Sequence, residues 1–141
     1  MEAFLIFAFR LVTGTFLAMV GVFAGYLLGW VVVLSLPAGV HVSGQAIRLV
    51  GLAVGSGAGA AAAWWDPETS RTHHAVAVAS TLGLALLGAW LGWESGPSWW
   101  DRRTIESVRH FAPMALGSAL AGNAAAAAAY CGGMLMRRRS K

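Results

Sequence analysis

The chain has 141 residues, 57 % of them hydrophobic and 11 % charged, with 18 glycines, one cysteine and a formal net charge of +4. A soluble domain carries roughly a quarter charged residues, so this deficit excludes an ordinary water-soluble fold, a disordered chain and a nucleic-acid partner, and the lone cysteine excludes a disulfide scaffold. The composition is that of a small polytopic membrane protein.

A crossing helix needs about 20 apolar residues, so the length admits at most about five spans. Four are legible. The first covers residues 11–36, with room to extend back to Ala3, and stops at Pro37-Ala38-Gly39. It does not read as a signal peptide, because seven apolar residues precede Arg10 instead of following it. The second covers 47–65, with Arg48 at its entrance placed to snorkel toward headgroups. Asp66-Pro67-Glu68 then reads as an N-cap, a first-turn proline and a first-turn acid, predicting a helix over 67–93 whose apolar part is 75–93.

Glu94-Ser95-Gly96-Pro97 closes that span. Ser98 and Asp101 form a capping pattern, and Ile105, Val108 and Phe111 recur at steps of three, with Arg102, Glu106 and Arg109 at pairing distance. This predicts a short amphipathic helix over 99–111, lying in the interface and anchored by Trp99 and Trp100. Pro113 punctuates the entry to the fourth span, 114–136, and the chain ends Arg137-Arg138-Arg139-Ser140-Lys141. The expected fold is therefore all-α: a single domain over 1–141 with four transmembrane helices in a tight bundle packed by small residues, plus one interfacial helix.

Cations accumulate on the cytoplasmic side, and the basic tail puts the C-terminus there. Four crossings bring the N-terminus to the same side, which describes a multi-pass protein of the bacterial inner membrane. The tail also attracts anionic membrane lipids. Trp64 and Trp65 fall at the inner interface, and Trp30, Trp90, Trp93, Trp99 and Trp100 gather toward the outer one.

Small residues are placed in stripes. Gly21, Gly25 and Gly29 recur at steps of four, as do Gly51, Gly55 and Gly59; Gly88 and Gly92 make one such step, and Gly117, Ala121, Ala125, Ala129 and Gly133 run through the fourth span. Residues i and i+4 share a helix face, so each span offers a groove in which another backbone approaches closely. Ala124 to Ala129 is an unbroken alanine run, better suited to protein surroundings than to lipid.

Polar groups at depth come next, since they are costly there and often functional. Asn123 stands near the middle of the fourth span, where it bonds a neighbouring helix or lines a pathway. Thr15, Ser56, Thr81 and Ser118 are expected to back-bond to their own helices. His73 is expected to face water and His74 the bundle. His41, His74 and His110 are candidate ligands of a haem or chlorophyll-type pigment, although no cofactor or metal site is assigned, because no ligand motif surrounds them and Cys131 has no partner. Nucleophile elbow, phosphate loop and paired carboxylates are all missing, so an enzyme is not expected.

One stretch, His74-Ala75-Val76-Ala77-Val78-Ala79-Ser80-Thr81-Leu82-Gly83 after Glu68 and Arg71, resembles the helix opening of the small G-type subunits of multisubunit sodium/proton antiporters. The likeness covers these ten residues alone. Val78 stands at that family's lysine position, the arginine is one residue out of register, and this chain has an extra span. The resemblance illustrates the class that the stripes imply: an accessory, non-catalytic subunit that docks on other transmembrane subunits or on copies of itself. A homo-oligomeric channel or transporter with Asn123 near its pathway is the alternative, and a haem- or pigment-binding subunit a third.

Overall fold

The computed structural model describes residues 2–37, 43–99 and 105–139. It is all-helical: α1 Glu2–Ser35, α2 Gly44–Ala63, α3 Arg71–Ser95, a single 3-10 turn Gly96–Trp99, and α4 Glu106–Arg139. All four α-helices are long and apolar enough to cross a membrane. The expectations for His41, Trp100 and the pairings of Arg102 fall outside the described residues.

Apolar residues 4–9 contain no helix breaker, so the first span does extend back, and α1 is one helix of 34 residues. At 1.5 Å per residue it is about 51 Å long, well beyond the hydrocarbon thickness. Ser43 caps α2 by accepting a bond from the Ala46 amide.

The start of the third helix differs from the expectation. Asp66 caps a turn, not the helix: its carboxylate accepts from the Glu68 amide at 3.2 Å and from the Thr69 hydroxyl at 3.3 Å. The helix begins after Ser70, whose Oγ accepts from the His73 amide at 3.3 Å. An aspartate two residues before a free amide makes a local turn as readily as a cap, and Ser70 then serves the orphan donors of the helix.

The separate interfacial helix over 99–111 is also corrected. Residues from Glu106 onward are the first turns of α4, which runs continuously through Pro113. A proline inside a helix removes one backbone bond and crowds the preceding turn. Here it stands eight residues into α4, and its ring lies where a Cβ on Gly96 would be, so the glycine that follows α3 accommodates it.

The helices form two antiparallel hairpins, α1–α2 and α3–α4, whose internal interfaces are the most extensive. α4 also touches α1 and α2, and it has the largest buried share of the four. The core is mostly alanine: Ala18, Ala53, Ala60, Ala85, Ala89, Ala115, Ala119 and Ala126 are buried, with Val22 and Leu52 as its largest aliphatic members. Large side chains point outward, among them Phe4, Phe9, Phe16, Leu27, Leu28 and Leu34 on α1. Such an inside-out size distribution suits a chain whose solvent is lipid, where close backbone approach takes over the role of hydrophobic burial.

Candidate functional site

The glycine stripes meet one another in pairs. A Cβ on Gly21 would fall on the Gly55 carbonyl, one on Gly25 on the Gly51 carbonyl, and one on Gly59 on the Leu17 carbonyl. Added atoms on Gly51 and Gly55 would strike Gly25 and Gly21 in return, and on Gly29 a Cβ would come within 2.9 Å of Arg48 Cα. In the other hairpin Gly88 and Gly117 oppose each other in the same way, while Gly92 faces the Pro113 carbonyl. Ala121 lies beside Gly88, Ala125 is buried, and a Cβ on Gly133 would come within 3.1 Å of His73 Nε2. Gly83 and Gly132, which belong to no stripe, have nothing within 4 Å.

The glycines of α1 and α2 are not all sealed over: Gly21, Gly51 and Gly55 are half-buried, while Gly25 and Gly29 are buried. Gly21, Gly29, Gly51 and Gly55 lie along an apolar crease of about 560 Å³ between the two helices, walled by residues such as Leu28, Val32, Val50 and Val54.

Asn123 is 3 % exposed and fully engaged. Its Oδ1 accepts from the indole Nε1 of Trp64 at 2.7 Å, and its Nδ2 donates to the Leu11 carbonyl at 3.1 Å and to Thr15 Oγ1 at 2.9 Å. Both amide protons are therefore used, and the side chain ties α4 to α1 and to the end of α2. Sequence reasoning missed the residue that makes room for this: a Cβ on Gly14 would fall on Asn123 Oδ1 and 2.8 Å from Trp64 Nε1. The sequence signal is slight: Gly14 stands four residues before Ala18 on the same face.

Around this tie an aromatic cluster closes the end of the bundle that holds both termini of the helical chain. Phe7 and Tyr130 flank Trp64 at centroid distances of 5.3 and 5.5 Å. Arg10 is drawn inward, its guanidinium 4.6 Å from the Tyr130 ring centroid, an attraction that strengthens where water is excluded. Arg48, at the opposite end, lies 4.3 Å over the Trp30 ring and donates Nε to the Gly44 carbonyl at 3.1 Å.

The histidines divide between the ends. His73, expected in water, turns into the α3–α4 seam with Nε2 2.9 Å from the Ala129 carbonyl. His74 stacks on Trp65 at 4.0 Å, and His110 stacks on Trp93 at 4.4 Å. Trp93 is 19 residues beyond His74 on α3, or about 28 Å along the axis, so His74 and His110 do not share one cofactor. Among the described residues no group of three His, Cys, Asp or Glu is placed to hold a metal.

Of the hydroxyls, Thr15 and Thr81 do back-bond, to the Leu11 and Ala77 carbonyls. Ser56 and Ser118 do not: both are fully buried with no partner for Oγ. No family model matches the chain, and no curated protein or solved structure matches it.

Proposed function

We propose that the chain is a small non-catalytic accessory subunit of a larger bacterial inner-membrane complex, with both termini cytoplasmic, docking through its small-residue stripes on other transmembrane subunits. The observation that carries this reading is the crease between α1 and α2. Its floor is glycine, its walls are branched aliphatic side chains, and it opens outward along the span. A surface of that shape admits a further helix at close range, and small-residue contact is the usual basis of helix association in lipid. The same glycines also bring α1 and α2 together, so the stripe supports a tight bundle and a docking face at once.

The position of Asn123 favours this reading over a channel, because an amide that holds α1, α2 and α4 together has no proton left for a passing solute. Termini at one end of the bundle agree with an even number of crossings, and the basic tail supports placing that end in the cytoplasm.

The test is purification of the whole chain in a mild detergent. The wild type is expected to emerge with larger membrane partners. Ala24→Trp, on the exposed lip of the crease, is expected to emerge without them while keeping its helicity and thermal transition. A wild-type chain that is a stable monodisperse monomer, or partners retained by Ala24→Trp, overturns the proposal.

A further inference from the structure

A second cavity lies at the far end of the bundle, where all four helices diverge. It measures about 320 Å³, within the range of small-ligand sites. Tyr26 of α1, Gln45 and Arg48 of α2, Trp93 of α3, and His110 and Phe111 of α4 line it. The described lining has one cation and no carboxylate.

The polar groups are held in place. Arg48 is oriented by its Nε bond to the Gly44 carbonyl and by the Trp30 ring beneath its guanidinium, which leaves its two terminal nitrogens to serve the cavity. His110 is fixed by its stack on Trp93, and its Nδ1 is buried with no hydrogen-bond partner. A buried ring nitrogen without a partner is costly, and an acceptor brought within its reach removes that cost. The opposite wall is aromatic: Tyr26 meets Phe111 edge-on at 4.9 Å.

We infer that this cavity binds the phosphate of an anionic amphiphile, with the phosphate oxygens accepting from the Arg48 guanidinium and from Nδ1–H of His110, and with Gln45 beside them. The apolar remainder of the ligand lies against Phe111 and Trp93. Three observations converge on that chemistry. The one charge among the described lining residues is positive and carries the planar fork that suits phosphate. The unpartnered nitrogen is a donor in one of its tautomers. The site stands within the first turns of α2 and α4, at the depth of headgroups, where basic pockets between transmembrane helices take up acidic lipids. This binding site is independent of the crease on α1 and α2 and of any subunit docked there.

Native mass spectrometry of the delipidated full chain in detergent tests it. Three probes are added in turn: dioleoylphosphatidylglycerol, dioleoylphosphatidylcholine and inorganic phosphate. One phosphatidylglycerol is expected to bind about tenfold more tightly than phosphatidylcholine, because both offer a phosphate to Arg48 but only phosphatidylcholine brings a choline cation beside it, and that preference is expected to be lost in Arg48→Gln. His110→Phe keeps the stack on Trp93, removes both ring nitrogens and is expected to weaken the same adduct. Arg71→Gln, at the other end of the bundle, is expected to leave it unchanged. If inorganic phosphate alone occupies the site and both variants abolish it, the phosphate site stands with a free anion as its occupant. Equal binding of the two lipids with no phosphate adduct, or a phosphatidylglycerol adduct indifferent to both Arg48→Gln and His110→Phe, overturns the inference.

Discussion

Replacing Asn123 with leucine removes three hydrogen bonds at one stroke, to Trp64, Leu11 and Thr15, while nearly preserving side-chain volume. Each interhelical bond in a membrane protein contributes about 1 kcal/mol or somewhat less. The Leu11 carbonyl and Thr15 hydroxyl keep their bond to each other at 3.0 Å, but Trp64, 5 % exposed, is left with a buried indole donor and no acceptor. The expected loss is therefore about 2–3 kcal/mol. Unfolding in mixed micelles of increasing sodium dodecyl sulfate fraction, followed by far-ultraviolet circular dichroism, measures it. A double-mutant cycle with Trp64→Phe isolates the indole–amide bond, and the coupling should be about 1 kcal/mol. A loss below about 0.5 kcal/mol, or effects of the two substitutions that add to within about 0.3 kcal/mol, would refute the assignment of Asn123 as a tie between helices.

Other expectations are simpler to check. Gly55→Ala and Gly88→Ala, whose new methyls fall on opposing backbone carbonyls, should lower stability in the same micelle titration by about 1–3 kcal/mol; Gly83→Ala, with open space beside it, should be neutral or raise it by about 0.5–1 kcal/mol. Gly14→Ala should behave like the first pair, because its methyl intrudes between Trp64 and Asn123, and a silent result would show that the bond does not need that space. Green fluorescent protein fused to the C-terminus should fluoresce in a bacterial host, and alkaline phosphatase inserted after Ser98 should be active; the reverse pattern inverts the topology. The purified chain should be colourless, and a Soret-type band lost in His110→Phe or His74→Phe would instead favour the haem reading.

The spans were legible because hydropathy and length alone define them, and the stripes because a four-residue recurrence of glycine survives any error in helix boundaries. What failed was local. Asp66-Pro67 is a stronger written signal for a helix start than Ser70-Arg71, yet the aspartate carboxylate is taken up by Glu68 and Thr69 within its own turn. Pro113 reads as a boundary until the glycine that receives its ring is known, and that glycine, Gly96 in the turn after α3, lies 17 residues away. His73 and His74 are adjacent, so periodicity without a partner helix cannot say which faces the seam. Gly14 stands outside the four-residue register of Gly21, Gly25 and Gly29, which runs back through Leu17, so recurrence does not single it out. In each case the missing information was tertiary: which group across the bundle needs the space or the proton.

The alanine-rich character of α4 bears on how the protein is made. It is the least apolar of the four spans and carries Asn123 near its middle, and alanine contributes little to partition out of the translocon compared with leucine or phenylalanine. Its neighbours supply what its own sequence does not: a glycine face on α3, and acceptors at Leu11 and Thr15 on α1 that satisfy the amide. Those neighbours are synthesised first. Stable insertion of the last helix thus depends on the preceding three being already in the bilayer, and a ribosome-released chain missing α1 should leave α4 poorly integrated. The small side chains that permit close packing also make biogenesis of this protein an ordered, cooperative event in which the final crossing recognises a preformed receptor.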